Sequence, residues 1–190
     1  MNRSLARRAV LLLITVIPLA AAGAEAPRTV PEHDADISYA IPTPAGAAMQ
    51  RLRYNAALRL LRIDPPGDGL HVVIDNARGR MVTVRAADRS LIDMPAPAAW
   101  MPGIGAAGYV RGRDDVVAGL PCTEWRTRDS EGRGVRACFT ADGMLLRAVT
   151  EAGQVLLLAV DVRRAAQDPA LFAIPAGYRR LAPPPLPGMR

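Results

Sequence analysis

The 190-residue chain contains no lysine; all 24 of its basic residues are arginine. That absence removes Schiff-base chemistry, a lysine general base and a phosphate-binding P-loop together. Histidine is almost as scarce, with only His33 and His71. Neither sits in an H-E-x-x-H pattern, and G-x-S-x-G and a glycine-rich phosphate loop after a strand are also missing. Asp114 and Asp115 are adjacent, so on a strand they point to opposite faces and do not make an acid–base pair. His71 alternates with Leu70 and Val72 and reads as a structural strand residue. His33-Asp34-Ala35-Asp36 is the one metal-like corner; without matching ligands elsewhere it reads as a solvated tail. The expectation is a non-enzymatic protein with no cofactor and no metal.

The arginines are spread along the chain and interleaved with acids. Such spacing fits a solvated sheet face and not the basic stripe of a nucleic-acid binder.

Long hydrophobic runs are missing except at the start. Arg3, Arg7 and Arg8 precede an apolar run over residues 9–22, and Ala22-Gly23-Ala24 has A-x-A spacing. This predicts a secretory signal peptide over residues 1–24, cleaved near Ala24, and therefore an exported, periplasmic protein. The run is short and broken by Pro18, which argues against an uncleaved anchor and leaves at most a peripheral membrane contact. Without it 166 residues remain, enough for one domain with a core. Their net charge is +3 in place of +6, because three arginines and no acids are lost.

Residues 119–147 carry the clearest pattern. Both cysteines lie there, and in an exported chain they are most simply a disulfide, Cys122–Cys138. The spacing is not C-x-x-C, so the pair reads as a staple and not a redox centre. Gly132 closes one turn, and Asp142-Gly143 is a strong signal for a two-residue type I′ hairpin. Placing Cys122 opposite Cys138 sets Trp125 opposite Val135 and Glu124 opposite Arg136. Trp125, Val135, Ala137 and Phe139 then share one face; the cysteines, Glu124, Arg126 and Arg136 share the other. The second turn brings Phe139 to Leu146 and Cys138 to Arg147.

Around this meander the chain reads as strands. Residues 25–35 form a loose arm, and strands are predicted over 37–41, 50–54, 58–63, 70–75, 80–85 and 90–94. A helix over residues 47–61 competes with the second and third, since alanine and leucine favour helix. Residues 95–108, with Trp100 and Met101, are too apolar for a linker and read as an irregular flap. Further strands follow over 109–113, 116–120 and 154–162, the last with Leu156, Leu158, Val160 and Val162 on one face. One helical turn over 167–172 and a proline-rich tail over 182–190 complete the chain. Nine or ten short strands with turn residues between them point to an all-β protein with minor helix, an antiparallel curved sheet or open barrel.

Leu60-Leu61-Arg62-Ile63-Asp64, then Val72-Val73-Ile74-Asp75, and finally Phe172-Ala173-Ile174-Pro175-Ala176-Gly177-Tyr178 follow one another in an order that resembles the periplasmic lipoprotein-carrier-like half-barrels and their uncharacterised exported relatives. The A-G-x-x-C-x-x-W core from Ala118 to Trp125 is similar to those relatives too. The resemblance spans residues 36–181 and implies an incomplete, half β-barrel domain whose apolar concave side takes acyl chains. This chain has few large aromatics and lacks helical segments long enough for the carriers' lid.

Two functions follow. In the first, the protein holds a lipid or other apolar ligand on the concave face formed by Trp125, Val135, Phe139, Leu146, Leu158 and Val160, with Trp100 and Met101 in the flap. The same residues also read as core alone, plugged by the flap. In that case the protein is a cell-envelope interaction or structural protein, meeting an acidic partner, a protein of the envelope or lipid head groups through its arginine-rich outer face or a sheet edge.

Overall fold

The computed structural model describes residues 26–67, 69–96, 108–129 and 131–183. The expected signal peptide, the flap residues Trp100 and Met101, and residues 184–190 of the tail lie outside them.

Among the described residues, twelve strands form a single curved, open sheet. In chain order they are β1 (Ala35–Thr43), β2 (Gly46–Asn55), β3 (Leu60–Asp64), β4 (Leu70–Asp75), β5 (Arg80–Arg85), β6 (Ser90–Pro95), β7 (Val110–Val117), β8 (Leu120–Arg128), β9 (Gly134–Phe139), β10 (Leu145–Thr150), β11 (Val155–Arg163) and β12 (Arg179–Leu181). The order across the sheet is β12-β6-β5-β4-β3-β2-β1-β11-β10-β9-β8-β7. Two antiparallel meanders, β1–β6 and β7–β11, therefore join through the β1–β11 pair. One 3₁₀ turn, Pro169–Phe172, carries Asp168 as its N-cap, with Ala170 N donating to the Asp168 carboxylate. Residues 47–61 are strand and turn, not helix. The described residues contain no helix long and apolar enough to cross a membrane.

Alternation sorts the side chains. Ile37, Tyr39, Leu52, Leu61, Ile74, Ala137 and Leu146 are buried in one cluster on the inner face, drawn from both meanders. A sheet buries such a face without helices only by curling around it. A second, smaller cluster lies on the outer face, where Val82, Val84 and Leu91 are covered by Ile174 and Tyr178. The segment after β11 thus straps the outside of β3–β6. Arg62 holds it by donating to the Leu171 carbonyl, and β12 lies parallel on the β6 edge.

The stapled hairpin is two residues out of the expected register. Glu124, not Cys122, faces Cys138; Trp125 faces Ala137, and Thr127 faces Val135. The cause is the turn. Asp129 N donates to the Arg133 carbonyl, Gly132 takes a positive φ of 79°, and the Asp129 carboxylate accepts from the N–H groups of Glu131 and Arg133. A three-residue loop ending in a left-handed glycine results, displacing the pairing by an even step. An even step keeps every side chain on its face, so the expected sorting holds. The cystine bridges diagonally, with Cα atoms 5.5 Å apart.

The two-residue turn with positive φ at both positions is Ala118-Gly119 (φ 50° and 76°), not Asp142-Gly143. At the latter, Thr140 N bonds the Met144 carbonyl and only Gly143 has positive φ. Residues 109–113 and 116–120, expected as two strands, are largely one, β7, bulged between Arg111 and Asp114.

Nor is the arm loose. Glu32 N donates to the Asp142 carbonyl, and the Asp34 carboxylate accepts from Ala56 N and Gln167 N. Val30 packs against the central cluster. In the would-be metal corner Asp34 thus anchors backbone, and Asp36 pairs with Arg51.

Candidate functional site

Trp125, Val135, Phe139 and Leu146 come together as expected, and each is 5% exposed or less. All four belong to the central buried cluster, and Trp125 and Phe139 also wall one cleft and Val135 another. Leu158 is half-buried and still packs against this cluster, whereas Val160 does not join it. Bulges on either side of Leu157–Ala159 shift the strand's phase, so Leu157 and Ala159 are buried while Leu158 lies opposite Arg147 and Val160 is half exposed. Ala96 and Tyr109, which flank residues 97–107, both pack against the central cluster. The Tyr109 ring meets Phe139 edge-on, with centroids 6.2 Å apart.

Beside the end of this core is a cleft of about 670 Å³. Trp125, Phe139, Pro121 and Cys122 form its apolar walls. β7 and β8 supply Arg111, Asp114 and Thr123, and the β9–β10 turn supplies Thr140, Ala141 and Asp142. The arm adds Ala26, Pro27 and Arg28, and Arg164 reaches in from beyond β11. The arm can lie here because Gly143 has no side chain: a Cβ there would overlap the Val30 carbonyl.

The cleft's charges are paired. Arg164 clasps Asp142 with two hydrogen bonds, 2.8 and 3.1 Å, which hold the Asp142 carboxyl below its usual range and push the Arg164 guanidinium up. Thr123 Oγ1 donates to Asp114 at 2.7 Å, Arg111 meets the same carboxylate at 3.2 Å, and Arg28 pairs with Glu32. Among the described residues the cleft's walls hold no histidine, and the Thr123 hydroxyl is placed on a carboxylate, that of Asp114. Aromatic walls with a charge-paired rim can bind a mixed polar and apolar group. Trp125 and Phe139 were legible as candidates. Arg28, Asp142 and Arg164 were not, because three distant segments meet only in the fold.

The outer face carries an ionic lattice. Arg147 bonds Asp115 at 2.8 Å and lies 3.3 Å from Glu124, which is buried beside the cystine. Farther across, Arg51 bonds Asp36 at 2.7 Å, and Arg53 and Arg62 share Asp64. Hydrogen bonds from Arg51 and Arg147 hold Asp36 and Asp115 below the usual carboxylate range. His71, also facing outward, is half-buried with Nε2 unbonded. Burial, and then the Arg62 charge, push its imidazole pKa down. Among the described residues no three His, Cys, Asp or Glu side chains group as metal ligands.

Fold and site together define an open, single-sheet β protein with a buried apolar cluster on its inner face and, at its end, a cleft with aromatic walls and a charged rim. No protein-family profile and no curated protein sequence matches the chain. Solved structures do. An uncharacterised conserved protein from Thermus thermophilus is similar with a TM-score of 0.59 and 14% identity, over 80% of this chain and 91% of that one. MucB is similar with a TM-score of 0.51 and 15% identity, over 80% of this chain and 61% of its own. MucB from the Pseudomonas aeruginosa MucA/MucB complex gives 0.50 and 15%, over 78% and 58%. The chain thus spans about three fifths of MucB's length. At such identities the likeness carries the fold and stops short of the lipoprotein-carrier family.

Proposed function

We propose that this chain is an exported, non-enzymatic binding protein of the cell envelope, one that meets a protein partner through the cleft and the arginine-rich outer face. The observation that carries this reading is the burial of the expected ligand face: Trp125, Val135, Phe139 and Leu146 belong to one buried cluster, against which Ala96 and Tyr109 also pack. Burial of these side chains in the core favours a protein partner over an acyl chain held along them. MucB, solved in complex with MucA, supports a protein partner for a chain of similar fold.

A lipid or other apolar ligand is the second reading, favoured by one observation: Trp125 and Phe139 also wall the cleft. Titration with oleate, followed by Trp125 emission in a Trp100→Phe background, tests between them. The partner-binding reading expects unchanged emission; a saturable shift with one oleate per chain would overturn it.

A further inference from the structure

On the outer face of the β8–β9 hairpin, Arg126 stands directly opposite Arg136. Like charges in that position repel, and a sheet more often places an acid there. The nearby carboxylates are committed elsewhere. Glu124 lies 3.3 Å from Arg147 and only 3.7 Å from Arg136, while Asp115 is held by Arg147 at 2.8 Å. The Glu151 side chain lies over Gly134, which faces Arg128 two pairs farther along, and Arg128 donates to the Gly132 carbonyl at 2.7 Å. Arg126 is exposed and has no ion pair among the described residues. Arg136 keeps a buried Nε with no hydrogen-bond partner. A guanidinium held by one long ion pair, with an unmet donor, gains from turning toward a new acceptor.

We propose that Arg126 and Arg136 together bind one phosphate group, free or carried on an anionic lipid. The tetrahedral group offers three or more acceptor oxygens to two guanidinium forks at once, whereas one fork saturates a carboxylate's two. Sharing the anion cancels the repulsion across the pair and gives Arg136 Nε an acceptor. The Arg136 side chain is 31% exposed, so it turns outward without opening the core. This inference rests on the outer-face part of the proposed function and adds to it a ligand class and two binding residues.

The test uses two probes on the full mature chain: inorganic phosphate, followed by ³¹P line broadening, and sedimentation with vesicles of 30% phosphatidylglycerol in phosphatidylcholine. Arg126→Gln and Arg136→Gln are compared with Arg179→Gln, which removes an equal charge from the strap. Phosphate binding weakened at least tenfold in the first two variants and kept in the third supports the site for the free ion. The same pattern seen only with vesicles assigns it to a lipid head group. Equal loss in all three variants, or no binding of either probe, overturns the site. An acyl cargo found in the core would overturn the partner-binding reading and leave this site standing.

Discussion

The Tyr39 hydroxyl donates to the Leu145 carbonyl at 2.7 Å, reaching from β1 past β11 to the bulge in β10. That bulge, between Leu145 and Arg147, interrupts the ladder, and the buried phenol supplies a donor to a carbonyl there. The bond ties the β1–β6 meander to the β7–β11 meander through their shared core. Burial alone drives the Tyr39 pKa far above its ordinary value, so the hydroxyl stays a donor at every physiological pH.

Tyr39→Phe keeps the ring and removes the donor, leaving the Leu145 carbonyl short of a partner. A stability loss of about 1–3 kcal/mol is expected from urea unfolding. A loss indistinguishable from zero would mean that the carbonyl is satisfied elsewhere.

Gly143 holds the arm to the rim of the cleft. Gly143→Ala meets two obstacles, a φ of 91° and overlap of the new Cβ with the Val30 backbone. The expected cost is more than about 1 kcal/mol, with faster proteolysis within residues 26–34 than in the parent protein. An unchanged cleavage pattern would show that the arm is not seated on this glycine.

The cystine closes a loop with a sequence separation of 16. Replacing both cysteines by serine is expected to cost about 3 kcal/mol, mostly by freeing the unfolded chain. The melting temperature of the double variant decides it, and no change would remove the staple from the account.

His71 sets a pH dependence whose sign is fixed. Its pKa is lower in the folded protein than the ordinary value of about 6.5, so the unfolded chain takes up the proton first. Stability is flat at higher pH and falls as pH drops through that ordinary value. The carboxylates of Asp36, Asp115 and Asp142 are depressed in the folded state, so their contribution is present above the normal carboxylate range and is lost below it. Melting temperatures across pH 8 to 3 should show both steps. His71→Gln should erase the first and keep the second; retention of the first step in the variant would contradict the assignment.

Much of this fold was legible because alternation survives errors of register. The sheet class, the disulfide, and the shared face of Trp125, Val135 and Phe139 all depend on parity, and an even slip of the hairpin left them intact. What was hidden lies where local rules gave way. Ala118 adopts a left-handed conformation that alanine disfavours, at a position the hairpin geometry imposes, while Asp142-Gly143 makes a longer loop than its dipeptide suggests. The bulges flanking Leu157–Ala159 buried Leu157 and Ala159 and turned Val160 out to solvent, which was hidden because an extra residue leaves no mark in a uniformly apolar run. The cleft rests on Arg28, Asp142 and Arg164, and no spacing along the chain links such distant residues.

The most direct test of the partner-binding reading is native mass spectrometry on the chain purified gently from its producing cells, followed by lipid extraction. The account expects the mass of the chain alone, or of the chain with a protein partner, and an extract without stoichiometric lipid. One fatty acid or phospholipid per chain would contradict it, and would make the inner face a ligand site in place of a core.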